Sequence, residues 1–438
     1  MRAHVPAKIL ILESGSGAGG SSTFLGYLLT HLDRTRFEPI VAFYFANDGP
    51  DTRRIRELGV GVHFLTPTAE PKEYVPFGFL LGAARWRFLQ RAKVAARFGV
   101  RLLLTELPQL WRLRALIRRE RVDLVLLNND VNYHLAGILG ARLTGTPCLC
   151  RKSGITDNNR LKRFLVPQVD LFLAISDATA RQQLTEYPAT RRLETVYAGI
   201  DLGRLDAEPR DPDIRAKLGV RDDAKLIGYV SRFHEGKGQH EFVEAAARIL
   251  KHRDDVMFVV VGDDVGVAGT LMQSLRDRVR ELGVERSVRL VGWRRDIPQI
   301  MAALDIFVHV PTTWGEGLGI ANLEAMAKGK PTVVSDNGGL ADAVVDGVTG
   351  FVVPKRDIDR LVEVVERLLD DRALAERLGA GARARIEEKF DMRKNTREME
   401  RYFEEYATLD TGRRIPTGPS LPSLDDQPRR KLATGANR

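Results

Sequence analysis

The chain has 438 residues, 44% of them hydrophobic and 29% charged, a soluble globular balance that is long for one core and ordinary for two domains. No run approaches the eighteen or so apolar residues of a membrane span, and the apolar run near the start is too short for a signal peptide, so the expected location is the cytoplasm. The net charge of +9 raises nucleic acid as a partner, but no zinc-finger spacing, RNA-recognition signature or basic zipper accompanies it, and no nucleic acid is expected.

In chain order, short β-rich runs alternate with helix-length amphipathic segments. The stretch ILILESGSGAGGSSTFLGYLLTHL begins at Ile9 and passes from an apolar strand through Gly15, Gly17, Gly19 and Gly20 into a helix. A glycine turn ahead of a helix presents backbone N–H groups to an anion. No Gly-Lys-Ser/Thr follows, so this is not a Walker loop. The acid that a dinucleotide fingerprint wants at the end of the second strand comes late, at Asp48. After the runs IVAFYF and GVHFL lies a basic cluster, Arg85, Arg87, Arg91, Lys93, Arg97 and Arg101, with no acid among them and with Trp86, Phe88, Leu89, Val94 and Phe98 interleaved. Such a segment suits an anionic membrane surface, or equally a solvated face whose apolar residues pack on their own domain.

The strands VDLVLL, PCLC, LFLAI and ETVYA follow. Cys148 and Cys150 are two apart on one strand and point the same way, which is poor geometry for a disulfide, so both read as small buried thiols. The charged, proline-containing segment from Ala198 to Asp223 has no core strand and reads as a linker. The pattern then restarts with KLIGYV, MFVVVG, VRLVG, IFVHV, PTVVS and GFVV. Near-continuous apolar strands separated by helices indicate parallel sheets covered on both faces. The fold class is therefore α/β, with two doubly wound domains.

Two stretches in the second half carry chemistry. In YVSRFHEGKGQHEF, Arg232 and Lys237 flank a glycine turn between a strand end and a helix start, an arrangement suited to an anion. In PTTWGEGLGIANLEAMAKGK, Glu316 lies in a glycine-flanked loop and Glu324 eight residues on, inside a helix. Eight helical positions span roughly 12 Å, beyond the roughly 5–9.5 Å of paired glycosidase carboxylates. The two acids are therefore expected to touch different parts of one ligand. FDMRKNTREMERYFEEYATL reads as a last amphipathic helix, and the Pro- and Gly-rich segment from about Asp410 as disordered.

Together these stretches resemble the retaining glycosyltransferases of family 4, with the GT-B architecture of two facing Rossmann-like domains. The likeness runs from about Lys8 to Leu409. Its marks are SRF…EGKG, VVGDD at Gly262, VRLVGWRRDIP at Gly292, the E-x7-E of EGLGIANLE, and GGLADAVVDGVTGFVVP, in which Asp342 stands where the family more often has Glu. LFLAISDAT and YAGIDLGRL match the end of the first domain, with Ala198 in place of a frequent Asn. The implied organisation is an acceptor-side domain over 1–203 and a nucleotide-sugar-binding domain over 204–390. A helix over 391–409 would cross back to the first domain, ahead of a disordered tail over 410–438.

The resemblance implies a glycosyltransferase that moves a sugar from a nucleotide-diphosphate donor to a glycan, lipid-linked or small-molecule acceptor. No cofactor and no metal are expected. The loop carrying Gly17, Gly19 and Gly20 would face the donor's diphosphate and sugar, and Arg232 and Lys237 would hold that diphosphate from the opposite domain. Glu324 would accept from the ribose hydroxyls and Glu316 from the sugar hydroxyls. Backbone N–H groups over Gly317, Leu318 and Gly319 would bind the same sugar or phosphate, with Gly262 and Gly292 completing the donor-binding set. Many relatives carry a histidine in the slot that spacing from Asp123 gives to Asn128. Asn can hydrogen-bond but cannot shuttle a proton at neutral pH, and His134 is the alternative for that role. The competing readings are a GT-B epimerase or phosphorylase, or a non-catalytic scaffold. The membrane reading of Arg85–Arg101 would place the enzyme peripherally on the inner membrane face.

Overall fold

The computed structural model describes residues 5–14, 20–69, 99–154, 159–264, 270–313 and 315–408. Gly15, Gly17 and Gly19, the basic cluster from Arg85 to Arg97, and the tail over 410–438 lie outside the described residues.

The first sheet holds β1 (Ala7–Glu13), β2 (Phe37–Phe43), β3 (Gly61–Phe64), β4 (Leu124–Asn128), β5 (Cys148–Lys152), β6 (Leu171–Ala174) and β7 (Leu193–Thr195). Its spatial order is β3-β2-β1-β4-β5-β6-β7. The second holds β8 (Lys225–Val230), β9 (Val256–Val261), β10 (Val288–Leu290), β11 (Ile306–His309), β12 (Thr332–Ser335) and β13 (Gly350–Val353), in the order β10-β9-β8-β11-β12-β13. Every pairing within both sheets is parallel. Helices cover both faces, so β4, β5 and β9 are buried along their whole length, which is why β9 reads as an unbroken apolar run and β4 and β5 as apolar runs that turn polar only at their carboxyl ends. β2 starts earlier than its apolar run. Main-chain pairing of Ala7 with Phe37 and of Ile9 with Pro39 carries the strand across Glu38 and Pro39. Cys148 and Cys150 are both buried and free.

One apolar core joins the two lobes. Leu28, Val41 and Leu126 of the first lobe share a cluster with Leu323, Met326 and Leu340 of the second. The final helix, Met392–Ala407, returns to the first lobe. The Met392 N–H donates to the Ile200 carbonyl at 3.0 Å and the Ile200 N–H to that of Phe390 at 2.9 Å. Phe403 meets the Phe37 ring edge-on at 6.0 Å, and Glu400 accepts the Asp33 N–H at 2.8 Å. A polar contact also crosses between lobes. Asp342 accepts the Ala178 N–H at 2.7 Å, at the start of the Asp177–Glu186 helix, and pairs with Arg181 at 3.3 Å. The shorter acid at this position thus bonds main chain directly, near a helix N-terminus where a carboxylate is favoured.

Candidate functional site

In each sheet the strand order reverses once, between β1 and β4 in the first and between β8 and β11 in the second. The crevice beyond the carboxyl ends of strands at such a point is where open α/β sheets take ligands. Here the two reversal points open onto one cleft of about 470 Å³. Ser14, Gly20 and Asn129 come from the first, and Ser231, Arg232 and His309 from the second.

The second-lobe wall is built around an ion pair. Lys237 and Glu316 are both 9% exposed, and the Lys237 ammonium donates to the Glu316 carboxylate. His309, the last residue of β11, places Nε2 3.2 Å from the same oxygen. Burial alone would raise the Glu316 carboxyl, but the Lys237 ammonium and the His309 hydrogen bond reverse this and hold it down at about 2. Glu316 is therefore an acceptor-only carboxylate. Arg232 lines the same wall and is exposed, so its guanidinium is open to an incoming anion. The 315–319 loop lines the cleft with Gly317, Leu318 and Gly319, and it approaches the first lobe closely. A Cβ on Gly317 would lie 2.3 Å from the Ser153 carbonyl oxygen.

Three expected residues stand off this wall. Gly262 and Gly292 are joined behind it by a backbone hydrogen bond of 2.9 Å and do not line the cleft. Gly262 has φ +143°, and a Cβ there would meet the Ser231 carbonyl at 1.8 Å. Glycine thus lets the end of β9 pass beneath the turn that presents Arg232. Glu324 sits a turn past the cleft-lining Ile320 and Ala321, on the Ile320–Ala327 helix. Burial pushes its carboxyl up to about 7, the Arg204 guanidinium pulling the other way. The two glutamates therefore occupy different environments, one held ionised and one poised near neutrality.

The first-lobe wall differs from the expectation. Asn128 is fully buried and does not line the cleft. Its Nδ2 donates to Glu13 at 2.5 Å and to the Ser21 hydroxyl at 3.1 Å, and its Oδ1 accepts from Arg151 at 3.2 Å. It clamps the start of the Gly20–His31 helix to the ends of β1 and β5 and has no face toward a substrate. His134 is also buried, with Nδ1 3.0 Å from the Tyr44 hydroxyl. Burial pushes its imidazole down to about 3 against the pull of Asp130, so it stays neutral at physiological pH. The residues this strand end gives to the cleft are Asn129 and Asp130. Asn129 ties three strand ends together, donating to Ser14 at 3.1 Å and accepting from Ser153 and from the Cys150 thiol at 3.1 Å.

Comparison with known proteins agrees with this architecture. The Glycosyltransferase Family 4 pattern matches residues 18–204, and the glycosyl transferases group 1 pattern matches 210–385. The chain belongs to the family 4 glycosyltransferases. Among relatives of this transferase is the Escherichia coli UDP-Gal:alpha-D-GlcNAc-diphosphoundecaprenol alpha-1,3-galactosyltransferase. It is 29% identical over 289 residues, covering 62% of this chain and 73% of that protein. The lipopolysaccharide core biosynthesis mannosyltransferase LpsB of Rhizobium meliloti (strain 1021) is 29% identical over 244 residues, covering 55% of this chain and 67% of its own. The crystal structure of Anabaena HepE in complex with UDP and glucose superposes with a TM-score of 0.72 at 22% identity, over 91% of this chain and all of that one. It shares the GT-B fold.

The sequence reading of the transferase did not single out His309, Asn129, Asp130 or Arg151. Each carries a weak signal, a polar residue at the carboxyl end of an otherwise apolar strand.

Proposed function

We propose that the enzyme is a retaining transferase that takes its sugar from a nucleotide diphosphate and passes it to a glycan or lipid-linked acceptor. The observation that carries this is the cleft shared by two topological reversal points, with Arg232 and the Lys237–Glu316 pair on one wall. Arg232 and Lys237 stabilise the charge that grows on the departing diphosphate, Glu316 accepts from the sugar hydroxyls, and Glu324 from the ribose. The loop through Gly17, Gly19 and Gly20 and the N–H groups over 317–319 complete the donor site. Gly262 and Gly292 shape it from behind. The 1–203 lobe takes the acceptor and the 204–390 lobe the donor. With Asn128 enclosed and His134 neutral, the acceptor's proton passes to the departing phosphate oxygen, as front-face retention permits. The UDP-glucose bound by HepE and the diphosphate-linked lipid acceptor of the E. coli relative support this choice of substrates.

A peripheral membrane position is supported by the helix that follows the basic cluster. Val100, Leu103, Leu104 and Trp111 are each more than half exposed and recur at helical spacing on one face. No helix among the described residues is long and apolar enough to cross a membrane.

The test is a thermal-shift screen of UDP, GDP and ADP sugars against the wild type and Arg232→Ala. One donor should raise the melting temperature of the wild type and do so far less in the variant. The anomeric configuration of the product, read by NMR, should match that of the donor. Inversion, or no stabilising donor, would overturn the proposal.

A further inference from the structure

Arg151, on β5, lines the first-lobe wall although it is only 3% exposed. Its guanidinium carbon lies 3.4 Å from the centre of the Phe24 ring. Among the described residues a single hydrogen bond ties it to protein, from Nη1 to the Asn128 oxygen at 3.2 Å. Its Nε is buried with no partner among the described residues. Burial lowers the guanidinium to about 9, the Glu13 carboxylate pulling the other way, so it remains a cation at neutral pH. An arginine offers five donors in a rigid fork, and leaving one buried and unmade is unfavourable. Behind the same wall, Lys152 and Lys162 share one carboxylate, that of Asp130, at 2.7 and 3.1 Å. The neighbouring wall residues Ser14, Ser21, Ser22 and Ser153 add hydroxyl donors and no further charge.

We propose that Arg151 is an anion subsite on the acceptor side of the cleft, taking a phosphoryl or diphosphoryl group carried by the acceptor. This rests on the reading of the enzyme as a nucleotide-sugar transferase. The second lobe supplies Arg232 and Lys237 for the donor's diphosphate, whereas Arg151 stands on the facing lobe. The acceptor class is then a phosphorylated sugar or a lipid-linked sugar phosphate rather than a neutral glycan.

The experiment uses the full chain and calorimetry. UDP, GDP and ADP are titrated in turn into the wild type, and inorganic pyrophosphate is then titrated into protein saturated with the nucleotide that binds. A second binding event is expected. In Arg151→Met, pyrophosphate affinity should fall by about tenfold or more, the scale of one charge-assisted hydrogen-bonded contact, with nucleotide affinity unchanged. Arg151→Lys keeps the charge without the fork and should lose less. It carries the test should the methionine variant not fold, as judged by thermal melting. The inference is overturned by the absence of pyrophosphate binding to nucleotide-saturated wild type, by equal pyrophosphate affinity in the variants, or by a loss of nucleotide affinity instead. Failure of every nucleotide to bind the wild type would defeat the transferase reading itself. Normal nucleotide binding with a failed pyrophosphate arm defeats only this inference.

Discussion

Lys237 and Glu316, 79 residues apart in the chain, meet as a nearly buried ion pair on the second-lobe wall of the cleft. A pair of this kind is asymmetric to mutation, because removing one member strands the other charge. Lys237→Ala should destabilise the fold by about 3–5 kcal/mol. The double variant Lys237→Ala/Glu316→Ala should be more stable than Lys237→Ala alone, since no uncompensated carboxylate remains. Urea denaturation of the four-member cycle measures this. A double variant as unstable as the sum of its singles would mean that the two groups do not act as a pair.

The two glutamates of the E-x7-E motif should respond to pH with opposite signs. Glu316 is held at about 2 in the fold against an ordinary 4.5, so its contribution is present above 4.5 and is lost as pH falls toward 2. Glu324 is raised to about 7 from 4.5. The folded state then binds more protons between those values, and stability from this group is full below 4.5 and lost as pH rises through 7. Glu324→Gln should therefore melt higher than the wild type at pH 8 and equally at pH 4.5. Equal melting at both pH values would show that Glu324 titrates normally.

The sheets were legible because strands buried on both faces read as apolar runs, so every expected run is a strand and only the ends moved, as at Phe37. The group of Arg232, Lys237 and Glu316 was legible for a related reason. Charge placed between a strand end, a glycine turn and a helix start can go almost nowhere but the cleft. Asn128 was expected at the cleft, which the two residues after it line instead. The last residue of β4 turns inward to Glu13 and Arg151, and the next two turn outward, a phase that spacing from Asp123 does not carry. Arg151 was invisible for another reason. Beside Lys152 at a strand end it reads as surface charge, and its burial depends on Phe24 and Asn128, which only the folded sheet brings beside it.

The helix carrying Leu103 and Leu104 offers a direct test of membrane contact. Both side chains are more than 60% exposed, whereas Arg101, the one described member of the basic cluster, is turned inward to Glu106 at 3.2 Å. The apolar face, rather than Arg101, should anchor the protein. Leu103→Glu/Leu104→Glu should reduce sedimentation with phosphatidylglycerol-rich vesicles by about tenfold and leave the melting temperature unchanged, because neither residue is in the core. Equal sedimentation of variant and wild type would remove this face from consideration.

Gly317 tests whether the observed approach of the lobes is the working geometry. A methyl group there would stand 2.3 Å from the Ser153 carbonyl oxygen and 2.8 Å from Ile175, both on the first lobe, while the second lobe itself could accept it. Gly317→Ala should therefore hold the lobes apart without unfolding either. Nucleotide, anchored chiefly by Arg232, Lys237 and Glu324 of the second lobe, should lose far less affinity than transfer loses rate. Transfer needs both walls around the reacting centre, and it should fall by about a hundredfold or more, the scale of a misplacement of about 1 Å. Calorimetry with the nucleotide, beside a single-turnover assay, separates the two effects. Unchanged transfer in Gly317→Ala would mean that catalysis proceeds with the lobes further apart than they stand here.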